Sequence, residues 1–217
     1  MTLYKGSQKI KDTGAYGIYH GSTPIRKVYH GSELEYIYSP YSPDTVLINF
    51  SSNTTQTATL PQGRYYIEIV GSGGVDAYGQ EGYWARRRGG ASGARFSATI
   101  DVINDNHTIS LKCGASYGAN STLTIDNTLV ATAGGGGNYT SVGTVTIGST
   151  SITNISFSNT TSVNGNAGQE TFIYGGGGSP SGGASVSTLG NYGHGQSNNP
   201  TGQYTNGLIY LKFVEAI

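Results

Sequence analysis

The residues best suited to chemistry sit in Gly79-Gln-Glu-Gly-Tyr-Trp-Ala-Arg-Arg-Arg-Gly89, which gathers the chain's only Trp, a Tyr and three consecutive Arg in a glycine frame. Aromatic and arginine side chains together are the mixture binding hot spots use. Tyr83 and Trp84 offer stacking faces for a sugar ring, and Arg86, Arg87 and Arg88 offer forks for a phosphate or carboxylate. The competing reading is internal packing, with an arginine stacked on a tyrosine. A second candidate is the polar stretch from Leu189 to Asn206. There Tyr192, His194, Asn198, Asn199 and Tyr204 supply stacking faces and hydrogen-bonding groups without charge. Neutral glycans call for that chemistry, and Tyr, Ser, Gly and Asn are favoured in binding loops. The competing reading is an ordinary surface loop.

Catalysis finds little footing. The four His, at positions 20, 30, 107 and 194, fall in no recognisable nucleophile or metal-ligand spacing. Cys113 lies in a strand-like pattern and reads as a small buried residue. Asp101-Val-Ile-Asn-Asp-Asn106 lacks the glycine and terminal Glu of a calcium loop and reads as a turn. Val70-Gly-Ser-Gly-Gly74 resembles a dinucleotide loop only superficially: position 76 is Asp and no helical pattern follows. No enzyme activity, cofactor or metal is expected. His20 and His30 occupy equivalent repeat positions and read as turn residues.

The frame around these candidates is unusual. The chain has 35 Gly in 217 residues, roughly twice the common share of ~7%. Charged residues make up 11%, against about 25% in an average domain. Between Asn127 and Leu211 the only charged side chain is Glu170. Disordered chains are charge-rich and poor in β-branched and aromatic residues, whereas this one is rich in Thr, Val, Ile and Tyr. An ordered, glycine-dense structure with neutral polar surfaces follows. Zero formal net charge argues against nucleic acid or an anionic membrane as partner. One cysteine excludes an intrachain disulfide. The first residues lack the apolar core of a signal peptide, so synthesis in a cytoplasm is expected.

Strand signals recur throughout. They are clearest at 46–50, 64–70, 96–100, 108–112, 123–125, 144–147, 152–157 and 208–214, and no helical periodicity interrupts them. The expected fold is all-β, with two regions. Residues 1–42 hold a strand-turn repeat: Tyr4, Tyr19 and Tyr29 each stand two residues before a Gly-Ser pair. One such unit cannot bury its own face, so docking on partner proteins through these tyrosines is expected. Pro40 and Pro43 then mark a boundary. Residues 43–217 form a glycine-rich β domain. The runs Gly134–Gly137 and Gly175–Gly178 are flanked by strand-like segments. They read better as packed rods, closer together than side chains would allow, than as flexible linkers.

The order of these segments resembles a family. Leu60-Pro-Gln-Gly-Arg-Tyr-Tyr-Ile-Glu-Ile-Val-Gly-Ser-Gly-Gly74 looks like the opening of the glycine-rich domain of bacteriophage tail-fibre and related virion proteins. Gly89–Ile100, His107–Gly114, Leu129–Gly137 and Gly207–Phe213 resemble its successive strands. The chain departs from the pattern at 71–88 and 140–171. In T-even-type phage adhesins such runs form a sandwich of polyglycine rods whose loops touch the host. The resemblance implies a tail-fibre or tip adhesin with other virion proteins and a host surface glycan or protein as partners, a homo-oligomeric state such as a trimer, and location in the virion. A head fibre, decoration or baseplate-linking component is the alternative. An ice-binding protein built on glycine rods would instead need a flat face of Thr or Ala.

Overall fold

The computed structural model describes residues 4–5, 8–9, 19–20, 23–25, 27–37, 39–75, 79–81, 84–104, 107–173, 183–190, 192–193, 195 and 205–217. Among them the chain is all-β and contains no helix.

The N-terminal repeat is a series of hairpins. β1 (Tyr4–Lys5) pairs with β2 (Gln8–Lys9), β3 (Tyr19–His20) with β4 (Thr23–Pro24), and β5 (Lys27–His30) with β6 (Glu33–Ile37). Tyr4 lies opposite Lys9 and Tyr19 opposite Pro24, a separation of five residues that also holds for Tyr29 and Leu34. The identical spacing follows from the two-residue Gly-Ser link. Gly31 has φ +62° while Ser32 does not share the positive φ, as a hairpin turn with glycine first requires.

The larger region is a sandwich of two five-stranded antiparallel sheets. The first sheet runs β17 (Ile155–Val163), β12 (Arg95–Val102), β9 (Gly63–Val70), β19 (Leu208–Glu215), β7 (Val46–Phe50). The second runs β16 (Val145–Ile147), β15 (Thr128–Ala133), β14 (Ser121–Ile125), β13 (His107–Lys112), β8 (Thr55–Leu60). Alternation sets the inner faces. Tyr65, Ile67 and Ile69 of β9 meet Ile109, Leu111, Leu123 and Ile125 of the other sheet in one fully buried cluster. The Tyr65 ring packs edge-on against Phe213 at 5.5 Å, and its hydroxyl donates to the Pro61 carbonyl at 2.7 Å.

The outer face of the second sheet is lined with hydroxyls. Rows read across the strands as Thr57–Ser110–Thr124–Leu129 and Thr55–Lys112–Thr122–Thr132–Thr146. This is the kind of face an ice-binding reading requires. Lys112 and Leu129 break the rows, so the face is not an unbroken Thr array.

One expected strand needs correction, and one observed strand was not expected. Positions 152–157 do not form one strand. Asn154 has φ +60° in a turn bridged by Ile152 and Ile155, and the strand runs from Ile155 to Val163. β8 had no matching expectation, because Thr-Gln-Thr-Ala-Thr-Leu turns only Ala58 and Leu60 to the core.

Candidate binding site

Among the described residues the glycine-rich segments meet the strands of the sandwich at one end; the run Gly175–Gly178 lies outside the described residues. β9, β15 and β17 lead out into 71–75, 134–137 and 164–169, while 89–94, 141–144 and 205–207 lead back into β12, β16 and β19. Their backbones lie in contact. Along 71–74 the N–H groups of Gly71, Ser72, Gly73 and Gly74 donate to the carbonyls of Ala94, Ala119, Thr205 and Ala91 at 2.9, 3.1, 2.9 and 2.8 Å. The first and fourth thus reach the same neighbour. Along 89–94, Gly89 and Ser92 donate to Gln169 and Asn166, whereas Ala91 and Ala94 donate to Gly137 and Gly134. The donor direction repeats every third residue, which is the period of polyproline II and differs from the two-residue alternation of a sheet. A strand can bond neighbours on two sides only. A three-fold segment bonds neighbours in three directions and builds a bundle.

Side chains are excluded between these segments. A Cβ on Gly71 would stand 2.2 Å from the Gly134 carbonyl oxygen, and one on Gly74 would stand 1.8 Å from that of Gly137. Serine is used where its hydroxyl serves the backbone. The buried Ser121 Oγ donates to the Val70 carbonyl at 2.6 Å and accepts from the Gly114 N–H at 2.9 Å.

Beyond the bundle lies a small sheet, β10 (Gly79–Glu81), β11 (Trp84–Arg88) and β18 (Glu170–Ile173), with β11 in the middle. Arg88 lies opposite Glu170 in this ladder, and its Nε donates to Glu170 Oε1 at 2.7 Å. The guanidinium also sits over the Tyr139 ring, 5.1 Å from its centroid. The Tyr139 carbonyl accepts from the Gly168 N–H at 2.9 Å. Arg88 therefore joins three glycine-flanking segments through its contacts with Glu170 and Tyr139.

Of the other candidates, Tyr83, His194, Asn198, Asn199 and Tyr204 lie outside the described residues, as do the side chains of Trp84, Arg86, Arg87, Tyr4 and Tyr19. Tyr29 is 55% exposed on its hairpin. Tyr192 is half-buried, and its carbonyl accepts from Ser185 Oγ. Its neighbour Gly193 accepts from the Gly93 N–H at 2.8 Å, close to the sandwich, while Arg88 stands at the far end of the same segment. At ~3.1 Å per residue, the five steps from Arg88 to Gly93 put the two levels about 15 Å apart. Tyr192 and Arg88 therefore belong to separate surfaces.

Sequence reasoning missed a buried acid. Glu68 in β9 is fully buried beneath residues 187–188. Its Oε1 accepts from Ser187 Oγ at 2.6 Å and from the Thr188 N–H at 3.1 Å, while Oε2 accepts from Tyr66 Oη at 3.0 Å and from Thr188 Oγ1. In Tyr-Tyr-Ile-Glu-Ile-Val it occupies an outward position that reads as solvent-facing, and only the distant Ser187-Thr188 pair explains its burial.

Cys113 is buried, and burial pushes its thiol pKa up to about 11. Because the thiolate is the reactive form, native protein should resist a thiol-specific reagent at neutral pH and react only on unfolding. Rapid labelling of folded protein would contradict this placement.

Among the described residues no group of three His, Cys, Asp or Glu is placed to hold a metal ion. No family model, curated protein or solved structure matches the chain.

Proposed function

We propose that the protein is a bacteriophage virion component, made in the host cytoplasm, that acts as a tail-fibre or tip adhesin and holds the host surface non-covalently. The observation that carries the reading is the bundle itself. Backbone hydrogen bonds in three directions tie segments 71–75, 89–94, 134–137 and 164–169 to one another, and the small sheet with the Trp-Arg strand lies beyond them. Loops on a rigid support suit recognition because little ordering is left to pay on binding. The bundle is neutral, which suits a glycan or an uncharged protein surface. The three hairpins of identical register at the N-terminus suit docking on other virion proteins, and assembly as a homo-oligomer would hide the open sheet edges.

The test is binding of the full chain to a panel of bacterial cells and their extracted surface polysaccharides. Saturable, strain-selective binding is expected. A folded sample that binds none of them would turn the reading to a head fibre, decoration or baseplate-linking component, for which hairpin docking alone would suffice.

A further inference from the structure

We propose that Tyr117 and Asn138, next to the constrained Tyr139, form a subsite for an uncharged sugar on the flank of the glycine bundle. The inference rests on the adhesin reading and gives it a ligand class and a place. Tyr117 lies in the turn between β13 and β14 and is 44% exposed. Its hydroxyl donates to Asn138 Oδ1 at 2.5 Å. That bond occupies the amide oxygen and leaves the two Nδ2 hydrogens without a partner among the described residues. The Tyr117 oxygen keeps its acceptor capacity. A flat apolar ring, an acceptor and a pair of donors thus converge within one side chain's reach. Neighbouring hydroxyls of a sugar ring require that pairing, and the apolar face of the sugar requires the ring.

Both turns are held before any ligand arrives. Ser72 Oγ donates to the Ser116 carbonyl, and the Ala119 N–H donates back to Ser72 Oγ at 2.8 Å. The Ser141 N–H donates to the Asn138 carbonyl at 2.6 Å, and the Gly137 N–H to that of Ser141 at 2.6 Å. Tyr139 has φ +21°, a region bulky side chains avoid. The Gly168 amide and the Arg88 guanidinium hold it there. Such positions persist only where the surroundings impose them, and they gather at sites of function. The charge next to the subsite is cancelled, because Arg88 is spent on Glu170. An anionic ligand therefore finds no free described cation here, and an uncharged one incurs no desolvation penalty for breaking the pair.

The full-length protein would be titrated with neutral oligosaccharides and with uronic-acid and phosphorylated counterparts, followed by calorimetry. Neutral sugars should bind. Tyr117→Ala should lower their association constant about tenfold through loss of the stacking face. Asn138→Ala should act in the same direction, and Tyr117→Phe should retain part of the affinity. Thermal unfolding of all three should stay near wild type because both side chains are exposed. Neutral binding that ignores these substitutions overturns the subsite and leaves the adhesin reading intact. Preference for the acidic sugars, or cell binding without any sugar binding, overturns the subsite alone. Absence of binding to both cells and sugars removes both.

Discussion

Gly74→Ala should leave the chain unable to fold to its native state, or lower its stability by more than about 4 kcal/mol. The added Cβ would stand 1.8 Å from the Gly137 carbonyl oxygen and 2.7 Å from that of Gly136. Both are backbone atoms. They cannot rotate away as a side chain could, and Gly136 and Gly137 are themselves bonded to Ser72 and Ser141. Relief requires opening the bundle, which breaks hydrogen bonds in three directions together. Each buried group left unpaired costs about 1–3 kcal/mol, so the loss compounds beyond the local clash. Gly31→Ala provides the contrast. Nothing lies within 4 Å of its Cβ, and only the φ of +62° resists the change; the cost should be about 1–2 kcal/mol. Thermal unfolding of the two variants separates steric exclusion from torsional preference. A Gly74→Ala protein that melts within a few degrees of wild type would show that 71–74 does not pack against 134–137.

The same contacts explain what could be read from the sequence. β9 and β19 were legible because both are rich in aromatic and branched apolar residues, and every second one (Tyr65, Ile67, Ile69; Ile209, Leu211, Phe213) enters the core. β8 was not, because only two of its residues carry the signal. β17 was misplaced because this Ser/Thr/Asn-rich edge strand is largely exposed on both faces and shows no alternation. The glycine runs pointed to close packing, but their neighbours lie far along the chain: Gly71 to Ala94, Gly136 to Ser72, Gly207 to Gly114. Composition can demand close approach without naming the partner. The candidate site has the same limit. The Arg triplet was visible as a charged cluster, yet the role of Arg88 depends on Glu170, 82 residues away, and on Tyr139. Tyr117 and Asn138 drew no notice, since each is unremarkable until two turns 21 residues apart bring them together.

The buried carboxylate should prove the second sensitive point. Glu68→Ala removes the acceptor for Tyr66 Oη, Ser187 Oγ, the Thr188 N–H and Thr188 Oγ1 at once. Hydrogen bonds to a charged group contribute about 1.5–3 kcal/mol each, and the return of water to the vacated space offsets part of the loss. A net cost of about 2–4 kcal/mol follows, which in a chain of this size lowers Tm by roughly 4–16 °C. Glu68→Gln should cost less but still register. Its NH2 group has no acceptor role, so it must face at least one hydroxyl or amide that now donates to oxygen. The two substitutions also separate local from global effects. Residues 185–190 are tied by Ser185 Oγ to the carbonyls of Gly190 and Tyr192 and by Glu68 to the sheet. Losing the carboxylate should therefore free this segment before the sandwich opens. The Thr188 amide should exchange with solvent faster in both variants, while amides of β9 and β12 follow only the change in global stability. Wild-type exchange at Thr188 in Glu68→Ala would mean that the segment is held by its own turn and that the carboxylate does not anchor it.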